Sequence, residues 1–95
     1  MFEDAEFVIV EFQKSISGDI AGAVICKIDI PSFDKERNPI LTFKAGLKFS
    51  HEECKEIWEN KSKYIGKRAT ICFFGRSEYN IPRFGKAIQL SRTDN

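Results

Sequence analysis

The chain has 95 residues, 42% of them apolar and nine of them Phe, and its 15 basic and 14 acidic side chains leave a net charge of +1. That length builds one domain, residues 1–95, near the lower end of what sustains its own core. No stretch approaches the roughly 18 consecutive apolar residues of a membrane span, and the acidic opening Met1-Phe2-Glu3-Asp4 has no apolar signal core. Cys26, Cys54 and Cys72 are odd in number and stand at no metal-ligand spacing, and His51 is the only histidine. These features point to a reducing, cytoplasmic setting with no metal and no membrane.

In chain order, Glu6 to Phe12 (Glu-Phe-Val-Ile-Val-Glu-Phe) is β-branched and aromatic and reads as a first strand. Ser15 to Gly18 is turn-like, and Asp19 to Ile30 reads as a second strand. Pro31 to Pro39 is a polar loop with two prolines, the tip of a hairpin. Ile40 to Lys48 alternates: Leu41, Phe43, Ala45 and Leu47 share a core face, while Thr42, Lys44, Gly46 and Lys48 share the solvent face. Gly46 in mid-strand predicts a bulge or bend.

Ser50-His51-Glu52-Glu53 is a capping box, and a helix is expected from His51 to about Tyr64, with Cys54, Ile57, Trp58, Lys61 and Ile65 on its inner side. Gly66 is its expected stop, and Trp58 its plug against the sheet. Lys67 to Phe74 reads as a fourth strand with Ala69, Ile71 and Phe73 inward. Gly75 to Pro82 reads as a hairpin loop and Arg83 to Ser91 as a fifth strand. Five strands with one helix between the third and fourth is the order of the OB fold, a mainly β, five-stranded Greek-key barrel.

Catalytic constellations are missing. There is no nucleophile-and-base pair and no Gly-rich phosphate loop, and His51 in the first turn of a helix is explained by its position. Lys27-Ile28-Asp29-Ile30 looks like a lysine-nucleophile signature but lacks the glycine such a turn requires. No cofactor is expected.

Charge is unevenly distributed. From Lys61 to Asn95 eight basic residues face two acidic ones, a net +6, whereas the first sixty residues hold seven basic and twelve acidic ones, a net −5. Such asymmetry points to a polyanion-facing surface. OB folds bind oligonucleotides on the second and third strands and on the loops joining strands one–two and four–five. The expected phosphate contacts are therefore Lys44 and Lys48 on the third strand, and Arg76, Arg83 and Lys86 around the fourth-to-fifth connection. Tyr79 is the preferred stacking residue, ahead of Phe74 and Phe84, whose default is core packing.

Several segments resemble the C-terminal OB domain of phage and bacterial ATP-dependent DNA ligases. Phe2-Glu3-Asp4-Ala5-Glu6-Phe7-Val8-Ile9 is similar to the entry into that domain, and Ala21-Gly22-Ala23-Val24 to its second strand. Glu56-Ile57-Trp58-Glu59-Asn60-Lys61 with Tyr64-Ile65-Gly66-Lys67 resembles its helix and exit. Phe73-Phe74-Gly75 and Ile81-Pro82-Arg83-Phe84, leading to Ala87-Ile88, resemble its closing hairpin. The ordered set spans nearly the whole chain.

Two departures stand out. The family often ends in Arg-x-Asp-Lys, a motif that orients the pyrophosphate of ATP. Here Arg92-Thr93-Asp94-Asn95 keeps Arg92 and Asp94 as a remnant and lacks the lysine, and Gly85 replaces a second proline. The adenylated lysine of such enzymes lies in a separate nucleotidyltransferase domain, which is not in this sequence.

The basic C-terminal third and the resemblance together point to a non-catalytic nucleic-acid-binding OB module, gripping duplex or single-stranded DNA, with Lys44, Lys48, Arg76, Tyr79, Arg83, Lys86 and Arg92 as the expected contacts. One alternative is a small phage-type module that binds or inhibits a host protein in the host cytoplasm. Another is the OB half of a split ligase.

Overall fold

A computed structural model describes residues 2–16 and 18–90. Five strands, β1 (Glu3–Lys14), β2 (Ala21–Phe33), β3 (Pro39–Leu47), β4 (Arg68–Phe73) and β5 (Lys86–Leu90), and one helix, α1 (His51–Glu59), make up the fold. The strands close in the order β1-β2-β3-β5-β4, antiparallel except for the parallel β3–β5 pair. This is the OB barrel with its helix between β3 and β4.

Closure depends on β1 serving two neighbours. Glu3 to Val8 pairs with β4, and Ile9 to Lys14 pairs with β2. Phe7 and Ile9 face inward, yet so does Phe12, which strict alternation would turn outward. A register shift between Ile9 and Glu11 restores the phase, so that Phe12 opposes the buried Val24. An extra residue in one strand is how a sheet bends without losing its core face. Further irregularities lie between Gln13 and Lys14, between Lys27 and Ser32, and between Thr70 and Ile71. Gly46, expected at a bulge or bend, carries no bulge: it sits in continuous register between Ala23 and Lys86.

The core joins Phe7, Ile9, Val24, Cys26, Phe43, Ala45, Ala69, Ile71, Phe73 and Ala87. Leu41, expected inward, is exposed: it lies where the β2–β3 pairing is irregular, between the Lys27–Thr42 and Ser32–Ile40 pairs, so the alternation that turns Phe43 and Ala45 inward does not carry through to it. At the ribbon tip Asp34 Oδ1 accepts from the amides of Glu36 and Asn38, at 2.8 and 2.9 Å.

The capping box at Ser50 forms as expected, with Ser50 Oγ accepting from the Glu53 amide and Glu53 Oε1 from the Ser50 amide. The α-helix is shorter than the periodicity predicts. It ends at Glu59, and a 3-10 turn over Lys61–Lys63 tightens the chain. That change of pitch brings Tyr64 into the core position expected of Ile65, which is exposed. The Tyr64 ring meets Phe12 edge-on at 6.0 Å, and its hydroxyl donates to Glu56 Oε2 at 3.0 Å. Trp58 is half-buried against the core with Lys61 Nζ 3.5 Å from its ring centroid.

Candidate nucleic-acid interface

Alternation on β3 places Lys44 and Gly46 on the outer face, with the exposed Lys48 one residue past the strand's end, and all three cross to neighbours that bear on the site. Lys44 opposes Ile25 on β2, and Gly46 pairs with Ala23 on one side and Lys86 on the other. A Cβ at Gly46 would stand 2.9 Å from Lys86 Nζ and 3.1 Å from its Cδ. The absence of a side chain at Gly46 therefore leaves room for the Lys86 side chain to lie over β3 at that position. Lys48 follows two residues on, its amide donating to the Ala87 carbonyl at 3.0 Å. Three exposed lysines thus surround Gly46, and none forms an ion pair with a described residue.

Depressions flank this cluster on both sides. Toward the β1–β2 turn, a shallow one of about 370 Å³ is lined by Lys14, Ile16, Gly22, Lys44 and Gly46, among others. Lys14 there pairs with Asp19 at 2.7 Å, and its hydrogen bond holds the Asp19 carboxyl below the usual range. Across Lys86 lies a groove of about 590 Å³ lined by Phe2, Leu47, Lys48, Cys72, Phe84, Lys86 and Ile88. Arg83 joins this edge, its guanidinium 5.7 Å from the Phe84 ring.

Not every residue of the expected set joins the cluster. Arg76 turns the other way: its guanidinium makes a two-pronged contact with Asp29, Nη1 to Oδ1 at 2.8 Å and Nη2 to Oδ2 at 3.0 Å. It also donates to the Asn80 carbonyl at 3.0 Å and lies over the rings of Phe73 and Phe7. The Arg76 hydrogen bond holds the Asp29 carboxyl below its ordinary value, and Asp29 in turn raises the guanidinium. Arg76 is thus a clip between the β4–β5 connection and the far end of β2, reinforced by Asn80 Nδ2 donating to Ser32 Oγ at 3.1 Å. Tyr79 goes with it. The ring is half-buried at the hairpin tip, where burial, then the charges of Glu78 and Asp34, push its phenol up. Arg92 and Asp94 lie outside the described residues.

Sequence reasoning missed Phe2, Ile88 and Cys72 as walls of the larger groove. Cys72 and Ile88 carry a faint signal, since both alternate to the outer face of their strands. Phe2 carries none, because its place depends on an edge-on contact with Phe74 at 5.4 Å. Among the described residues no group of three or more His, Cys, Asp or Glu could hold a metal ion, and no helix is long and apolar enough to cross a membrane.

The class this geometry defines is the OB barrel with a basic outer face on β3 and β5. No family model matches the sequence, and no curated protein does. Solved structures do match. A Chlorella virus DNA ligase-adenylate superimposes with a TM-score of 0.73 at 24% identity, over 99% of this chain and 32% of that one. A structure from work on DNA binding by Lig E DNA ligases gives 0.63 at 21% identity, over 96% of this chain and 31% of that one. The chain therefore spans about a third of the length of these DNA ligases, and the fold expected from the sequence resemblance is the one observed.

Proposed function

We propose that this chain is a nucleic-acid-binding OB module that grips a phosphate backbone by charge and performs no catalytic step of its own. It corresponds to the DNA-holding part of a DNA-ligase-like protein. The observation that carries the reading is the cluster of Lys44, Lys48 and Lys86 around Gly46, with Arg83 at its edge, all exposed and without an acidic partner among the described residues. Exposed lysines in this arrangement bind polyanions by releasing condensed counterions, with little need for base contacts. The ligase structures of like fold support DNA as the polyanion, one of them from work whose stated subject is DNA binding with a minimal scaffold. Three free cysteines suit action in the reducing cytoplasm.

Fluorescence anisotropy with a short labelled duplex at about 50 mM salt tests the reading, since non-specific clamps bind most tightly there. Saturable binding is expected, and the double variant Lys44→Glu, Lys86→Glu should weaken it at least tenfold. A wild-type protein that fails to bind at that salt refutes the proposal.

A further inference from the structure

Phe84 is held in a conformation that ordinary packing does not explain. Its φ is +55°, a left-handed backbone that bulky side chains rarely adopt, and its side chain projects into solvent with the residue 71% exposed. The segment around it is clamped at both ends. Phe74 donates to the Arg83 carbonyl at 2.8 Å, Arg83 to the Gly75 carbonyl at 3.0 Å, and Gly46 to the Gly85 carbonyl at 3.0 Å. Gly85 itself packs so closely that an added Cβ would lie 3.2 Å from Ile71 Cγ2. Strained, well-anchored backbone of this kind is characteristic of positions where a side chain is presented to a ligand.

The surroundings define that ligand. Phe84 shares its groove with Phe2 and Ile88, both exposed, and with the ammonium-bearing side chains of Lys48 and Lys86. At about 590 Å³ the groove falls within the range of sites that take small organic groups. A flat apolar ring beside cations complements a flat aromatic ring beside phosphates. Base-paired duplex does not offer that surface, because its base faces are stacked inside the helix. An unpaired strand does.

We infer that the groove of Phe84, Phe2, Lys48 and Lys86 is a stacking site for an unpaired nucleobase, so that this face prefers single-stranded or locally unpaired nucleic acid to continuous duplex. The inference rests on the charge-clamp reading above and adds to it the ligand's form. Phe84 is the platform, and Lys48 and Lys86 hold the phosphates on either side. Preorganisation of the ring by its clamped turn lowers the ordering cost of binding.

Anisotropy titrations with three labelled probes of equal length test this: a mixed-sequence DNA single strand, the same strand made abasic, and a blunt duplex. The single strand should bind at least fivefold more tightly than the abasic strand, and Phe84→Ala should bring that ratio close to one. Stacking of a base on an aromatic side chain corresponds to roughly 5- to 150-fold in affinity. Phe84→Trp should preserve the discrimination. Both variants should unfold thermally as cooperatively as the wild type, because the Phe84 side chain is exposed.

Equal binding of the intact and abasic strands overturns the stacking site while leaving the charge clamp standing, provided that the duplex binds. Undiminished discrimination in Phe84→Ala does the same. A concentration-dependent dimer that Phe84→Ala abolishes would make the patch a self-association surface and also overturn the inference. Failure of all three probes to bind removes both readings.

Discussion

Asp29→Asn is the most informative single change, because it separates an internal role for Arg76 from an external one. The substitution keeps the shape of the side chain and removes its charge, leaving the Arg76 guanidinium with the Asn80 carbonyl and two ring faces. Hydrogen bonds to charged groups contribute about 1.5–3 kcal/mol, whereas fully exposed pairs contribute about 0–1 kcal/mol. The Arg76 side chain is 22% exposed and that of Asp29 is 41% exposed, so this two-pronged pair falls between the two classes. A loss of about 1–2 kcal/mol follows, which for a domain of this size lowers the melting temperature by about 4–16 °C.

The pH dependence has a definite sign. Arg76 lowers the folded-state pKa of Asp29 below its ordinary 3.8. The pair's contribution is therefore fully present above that ordinary value and disappears as pH falls through the lowered folded pKa. Urea unfolding of wild type and Asp29→Asn should show a constant difference between about pH 5 and 8 that shrinks below about pH 4. Arg76→Met and the double variant complete a cycle whose coupling should exceed about 0.5 kcal/mol. A difference under about 0.3 kcal/mol at pH 7, or one that widens in acid, refutes the clip.

Further outcomes follow from the same geometry. Four cations on the proposed face (Lys44, Lys48, Arg83, Lys86) give a duplex-binding slope of log K against log salt near −3.6, and Lys44→Gln should reduce its magnitude by about 0.9. Arg76→Gln should leave that slope unchanged within error, since its charge is committed to Asp29. Glycine replacements should divide sharply. At Gly46 an added methyl meets only the mobile end of Lys86, so Gly46→Ala should cost less than about 1 kcal/mol and act mainly on binding. At Gly22 it meets the Ser15 backbone at 2.9 Å, and Gly22→Ala should cost about 1–3 kcal/mol in urea unfolding. Burial pushes the Cys26 thiol up to about 12. A thiol reagent at neutral pH should therefore label Cys26 only at the rate of unfolding, while the half-buried Cys72 reacts in the native state.

What the sequence by itself determined is local. The capping box at Ser50, the inward Ala69, Ile71 and Phe73 of β4, and the outward Lys44 of β3 with Lys48 just past its end are all set by chain periodicity and nearest-neighbour hydrogen bonds. The element order, and with it the barrel, follows from the same signals. Tertiary structure decided what lies opposite what. Arg76 and Asp29 are 47 residues apart, and nothing in either segment marks them as partners, so a guanidinium in a basic stretch reads as a phosphate contact until the folded chain brings the carboxylate to it.

Phe84 is the converse case. An aromatic residue beside a strand reads as core, and only the clamped left-handed turn, made by hydrogen bonds to Phe74, Gly75 and the distant Gly46, sends it outward. Alternation along a strand assigns a side chain to a face. Whether that face meets the core, a salt-bridge partner or open solvent depends on barrel closure, which joins β3 to β5 and β1 to β4 across most of the chain.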